Sequence, residues 1–167
     1  MRLQKKRGNL CGVMDINKIK ENVINSVLSE LKSISIRTLI QDLHELRENG
    51  ELNGNDSVER FNYYSHEILA SKKKKFEFLR DYPILSRVLF ETIIVHVDSV
   101  VELLDCFVRD REYLIQAFGL EDDSKLLSLS LQLGDSHNNG KAVMCLNFNK
   151  GKKIMYKPKS LSIDPWA

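Results

Sequence analysis

The chain has 167 residues, 43% of them hydrophobic, which is enough apolar material for the core of one ordinary domain and excludes a disordered tail. Its 25 basic and 23 acidic residues leave a formal charge of +2, which argues against a dedicated nucleic-acid binder. The charge is uneven: six lysines face two aspartates between Asp135 and Ala167, so the rest of the chain is net negative.

Residues 1–15 read as a basic tail, since Met1 to Arg7 carries the charge of a signal peptide without the long apolar core that should follow. Met14 is a second candidate start. Ile16, Ile19, Val23, Ile24, Val27, Leu28 and Leu31 fall at steps of three and four, which predicts a helix with one apolar face. Ile36, Leu39, Ile40, Leu43 and Leu46 predict a second, shorter helix that stops near Asn49-Gly50. A loop follows from Glu51 to Ser57. Asp56 with Glu59 resembles a capping box opening a third helix, whose buried side uses Phe61, Tyr64, Ile68 and Leu69.

The run Lys72 to Lys75 fits a phosphate-binding patch or a solvated helix end, and as the second is commoner no site is assigned to it. Pro83 suits the first turn of a long helix, where its missing amide costs nothing. The apolar set from Ile84 to Val108 is broad, as in a helix covered on more than one side, yet Arg87, Glu91, Asp98, Glu102 and Asp105 interrupt it too often for a membrane span. A last helical stretch through Leu114, Ile115 and Phe118 ends at Gly119.

After Asp123 the period changes to two. Leu127, Leu129, Leu131 and Leu133 alternate with Ser128, Ser130 and Gln132 as in a strand with one buried face. Ala142–Phe148 and Lys152–Lys157 are two further strands, the first hairpin turning at Asn139-Gly140 and the second at Asn149-Lys150-Gly151. The expected fold class is α+β, with a helical region over residues 16–123 packed on an antiparallel three-stranded meander over residues 124–167. Such a meander needs cover on its apolar face. Its third strand is either an exposed edge, or the domain is incomplete and the chain belongs to something longer.

Cys11, Cys106 and Cys145 are an odd set at wide spacings, which predicts reduced thiols and no zinc site, in a cytoplasmic protein. His44, His66 and His96 stand alone on predicted helices and read as satisfied or solvated. Ser33, Ser35 and Ser99 have no His-and-acid arrangement nearby. Cys145 reads as an inert small hydrophobe.

Chemistry concentrates in the connection Gly134-Asp135-Ser136-His137-Asn138-Asn139-Gly140-Lys141. Taken alone, these are the residues that turns are made of. Lys157 on the third strand, preceded by Tyr156 and followed by Pro158, changes the weighting. A hairpin that offers backbone amides to a polyphosphate, followed by a strand lysine that neutralises it, is how protein kinases hold ATP. The hairpin lacks their three-glycine pattern.

Gly134-Asp135-Ser136-His137-Asn138 followed by Tyr156-Lys157-Pro158-Lys159-Ser160-Leu161 resembles the dehydratase domain of the class II lanthipeptide synthetases, the LanM enzymes. Arg37-Thr38-Leu39-Ile40, the segment Arg47 to Gly54, Tyr63-Tyr64, Tyr82-Pro83-Ile84-Leu85 and Asp110-Arg111 are similar as well, in the family's order. The resemblance implies a lipid-kinase-like fold, of which the meander starts the amino-terminal lobe. It also implies an activity: ATP and magnesium serve to phosphorylate Ser and Thr of a precursor peptide, and phosphate is then eliminated to leave dehydroamino acids. Carried over by motif, Lys157 is the phosphate-binding lysine, and Asp135 and His137 lie over the phosphates in nucleotide or proton-transfer roles. Asn138 belongs to the same cofactor-binding motif, while Lys159 reads as a solvated lysine ahead of an addition to the positive field.

The family's catalytic aspartate, its metal-binding residues and its zinc-bearing cyclase lie beyond Tyr156-Lys157-Pro158-Lys159, and the family has more helix before this segment. The expectation is therefore a synthetase fragment that is inactive alone, with Trp166 packing on the missing part of the lobe. Two other readings stand beside it. The chain could be a non-catalytic helical module for a peptide or partner protein, or the remainder of the synthetase could be a separate chain that completes the site.

Overall fold

The computed structural model describes residues 12–131 and 142–158. The described residues fall into two compact units, one holding those up to Leu28 and from Ile94 onward, the other Ser29–Ile93. This division cuts across the boundary between helices and strands.

Helix α1, Ile16–Glu48, is continuous where the sequence predicted two helices. No Gly or Pro interrupts it, so the chain stays helical through Ser33 and Ser35, the Ser35 hydroxyl donating to the Leu31 carbonyl at 2.7 Å. The helix stops where expected. Gly50 takes φ +73°, and Glu51 N donates back to the Leu46 carbonyl at 2.9 Å.

Asp56 caps helix α2, Ser57–Tyr63, its Oδ1 accepting from Val58 N and Glu59 N, both at 2.8 Å. Glu59 Oε2 returns the contact to Asn55 N at 2.7 Å, one residue before the position of a standard capping box. A π-helical turn, Tyr64–Ile68, continues α2. Tyr64 is buried and Ile68 and Leu69 are half-buried, but Phe61 is exposed, which corrects the expected buried side. At about 100° per residue Phe61 stands some 60° around the helix from Tyr64 and clears the covered stripe.

Ser71 caps helix α3, Lys72–Asp81, and Pro83 opens helix α4, Pro83–Arg109. The expectation that α4 is covered on several sides is corrected. Val100, Leu103 and Phe107 are buried on one stripe, while Ile84, Phe90, Ile94, Val97 and Val101 are exposed. Helix α5, Arg111–Phe118, closes at Gly119 with φ +59°.

The sheet is antiparallel in the order β1-β2-β3, with β1 Leu126–Ser130, β2 Met144–Phe148 and β3 Lys153–Tyr156. The predicted alternation through Leu127 is corrected: the register shifts between Leu126 and Ser128, which buries Leu126 and Leu129 and leaves Leu127 half-buried. Met144, Leu146 and Phe148 of β2 point into the core of the first unit, where Phe148 meets Phe107 with ring centroids 5.8 Å apart. The second hairpin turns through Asn149–Gly151, Gly151 at φ +76° as expected and Lys150 at φ +61°. Met14, read from sequence as part of a tail, is buried beside β1, and Asp15 N donates to the Leu126 carbonyl at 2.8 Å.

Candidate functional site

Asp135, His137 and Asn138 lie outside the described residues, as do Lys159 and Trp166. The described geometry is that of the sheet end where their connection starts and finishes. Ser130 pairs with Cys145 at the end of β1, and Met144 pairs with Tyr156 at the end of β3. In an antiparallel meander this register brings Leu131, Ala142 and Lys157, which follow or precede those pairs, to one end of the sheet. Lys157 lies one position beyond β3, not on it, because the ladder with β2 ends at Tyr156.

Strand alternation separates Tyr156 from Lys157. Tyr156 packs against the core, and its hydroxyl donates to Glu102 Oε1 of α4 at 3.5 Å. Burial, followed by the charges of Glu102 and Cys106, pushes the Tyr156 phenol up to about 12. Alternation carried one residue further assigns Lys157 to the opposite face, and its side chain is exposed. On that face of the sheet Asn147 Nδ2 donates to Ser130 Oγ at 3.0 Å and to the Ser128 carbonyl at 3.4 Å, which ties β1 to β2 beside Cys145. Cys145 is buried, in keeping with the reading of it as a small hydrophobe.

The lysines of the β2–β3 turn have other duties. Lys150 donates to Glu121 and Asp123, whose carboxylates hold its ammonium above the usual lysine range. Lys152 donates to the carbonyls of Phe118 and Gly119, neutralising the end of α5. Both therefore fasten the opposite end of the sheet.

Sequence reasoning missed a groove of about 310 Å³ between α4, α5 and β3, lined in part by Cys106, Arg109, Asp110 and Tyr156. Arg109 donates to both carboxylate oxygens of Asp110 at 2.8 and 3.0 Å and holds that acid below its usual range. The neighbouring Arg111 is structural: its Nη2 donates to the carbonyls of Asp122 and Ser124, both at 3.1 Å, which fixes the approach to β1. Only the adjacency of Asp110 and Arg111 hinted at this in sequence.

The second unit contains its own polar cluster. Tyr64 donates to Asp42 Oδ2 at 2.7 Å and Tyr82 to Glu45 Oε2 at 3.3 Å. Burial raises Asp42 above the ordinary carboxylate value, and burial with the Asp42 hydrogen bond raises the Tyr64 phenol. His44 and His66 are exposed, and His66 Nδ1 lies 3.0 Å from the Asn62 carbonyl.

An exposed ammonium at the sheet end is suited to a nucleotide polyphosphate. Among the described residues no group of three or more His, Cys, Asp or Glu could hold a metal ion. No helix among them is long and apolar enough to cross a membrane.

A family profile described as "Domain of unknown function (DUF4135)" matches residues 82–166. Over 129 residues, 77% of its length, the chain is 34% identical to the "Lacticin 481/lactococcin biosynthesis protein LcnDR2" of Lactococcus lactis subsp. lactis. It spans 14% of that relative. Both findings agree with the resemblance to class II lanthipeptide synthetases carried by Tyr156-Lys157-Pro158.

Proposed function

We propose, from the fact that this chain belongs to the DUF4135 family, that it forms the nucleotide-facing front of a class II lanthipeptide synthetase dehydratase domain. The reaction is phosphorylation of Ser and Thr hydroxyls of a precursor peptide by ATP, followed by loss of the α-proton and phosphate to give dehydroalanine and dehydrobutyrine. The observation that carries this reading is the register that brings Lys157 to the same end of the sheet as Leu131 and Ala142.

Phosphoryl transfer depends on positioning and charge stabilisation more than on covalent chemistry. In this reading Lys157 neutralises the polyphosphate, and Tyr156 holds the Lys157 backbone in place through Glu102 and the core. Asp135, His137 and Asn138 contribute from the connection, positioning the nucleotide or assisting proton transfer. In this reading magnesium and the remaining catalytic groups come from elsewhere in the synthetase.

The test compares parent-length synthetase with its Lys157→Ala and Lys157→Arg variants, scoring phosphorylated and dehydrated precursor by mass spectrometry. Loss of a charge-stabilising donor of this kind lowers turnover about 10²-fold or more. Lys157→Arg should retain part of the activity with a raised KM for ATP. Unchanged phosphorylation in Lys157→Ala would remove the lysine from the site.

A further inference from the structure

Helix α3 opens with Lys72, Lys73, Lys74 and Lys75 and has no acidic residue in its first turn. The backbone dipole already places positive charge there, so the run works against helix stability. Lys73 and Lys74 share the single carboxylate of Glu77 at 3.9 and 3.5 Å, and their side chains remain 84% and 51% exposed. Among the described residues no carboxylate lies within ion-pair distance of Lys72 or Lys75. Directly after this run, one turn beyond Lys72, Phe76 is 71% exposed. Lys72, Phe76 and Arg80 are spaced at four residues and share one stripe of the helix.

We propose that this stripe of α3 docks on the surface of an anionic lipid bilayer. A phenyl ring standing among cations is the pattern of an interfacial helix: the ring enters the boundary between headgroups and acyl chains while the lysine stems lie along it and keep their ammonium groups at the phosphates. A diffuse anionic surface fits better than one discrete phosphate, because bidentate phosphate recognition needs a guanidinium and Arg80 is engaged with Asp81 at 3.0 Å. One short helix binds weakly and reversibly. The stripe belongs to the second unit and the residues of the proposed chemistry to the first, so either idea can fail without the other.

The experiment uses the 167-residue chain and cosedimentation with vesicles of phosphatidylcholine, alone or with about a third phosphatidylserine. Each lysine near such a surface is worth about fivefold in partition, so Lys72→Gln with Lys75→Gln lowers binding about 25-fold. Added salt weakens it. In a Trp166→Phe background, the emission of a Phe76→Trp variant shifts to the blue on binding and is quenched by brominated lipid. Lys72, Lys75 and Phe76 are exposed, and circular dichroism confirms that each variant keeps its helix. Equal binding to both vesicle types, no change in the lysine variant, or unshifted emission from the Phe76→Trp variant would overturn the proposal. So would lysine-dependent binding to polyglutamate with none to vesicles, which would assign the patch to an acidic protein.

Discussion

The Tyr64 hydroxyl donates to Asp42 Oδ2 at 2.7 Å and also lies 3.3 Å from the Leu39 carbonyl, fastening the turn after α2 to α1 within the second unit. Tyr64→Phe removes the donor and leaves a partly buried carboxylate short of a partner, at a cost of about 1–3 kcal/mol in urea denaturation. The same pair sets a pH dependence. Asp42 binds its proton more tightly in the fold than in the unfolded chain, so its contribution to stability is complete below the ordinary value of 3.8 and is lost as pH rises through the raised folded value. Asp42→Asn keeps an acceptor for Tyr64 and should flatten that part of the stability curve. An identical acid profile in wild type and variant would show that Asp42 is not buried as described.

Gly54 and Gly151 both have positive φ, at +142° and +76°, but differ in their surroundings. A Cβ on Gly54 would stand 2.7 Å from Arg60 N and 2.9 Å from the Glu59 carbonyl carbon, backbone atoms that cannot yield cheaply. A Cβ on Gly151 meets nothing within 4 Å. Gly151→Ala should therefore cost only the left-handed penalty of about 1–2 kcal/mol, and Gly54→Ala clearly more. Thermal melts of the two variants rank them directly, and equal melting points would contradict the close approach at Gly54.

The Tyr156 phenol is pushed up to about 12 by burial and by Glu102 and Cys106, and Tyr82 is pushed up to about 12 by burial, Asp42 and Glu45. A phenol that holds its proton more tightly when folded stabilises fully below its unfolded value, near 10, and loses that contribution as pH climbs toward about 12. Stability should fall over that interval, and Tyr156→Phe should make the fall shallower. Absorbance titration of the phenols alongside urea midpoints checks both. A Tyr156 that ionises near 10 would mean that β3 does not pack on α4 as found.

Much of the chain is legible from short-range signals, and the candidate site divides along the same line. The Tyr156-Lys157-Pro158 segment is contiguous and could be singled out by eye, whereas the groove beside it joins Cys106 and Arg109 to a tyrosine about fifty residues further along, whose hydroxyl also meets Glu102. No periodicity or spacing reports such a meeting. The apolar sets from Ile16 to Leu31 and from Ile36 to Leu46 predict two helices and form one, because no glycine or proline between them ends the first.

Helix ends at Asp56, Pro83 and Gly119 follow from the amino acids themselves, because an acceptor for free amides, a ring without an N–H and a backbone free to turn left-handed act within one turn of the residue that supplies them. The bulge at Leu127, the exposed flank of α4 and the Tyr156 contact with Glu102 depend instead on which surfaces meet after the chain has closed long loops. Burial is shared among residues distant in sequence, and that sharing chose which apolar side chains stayed outside.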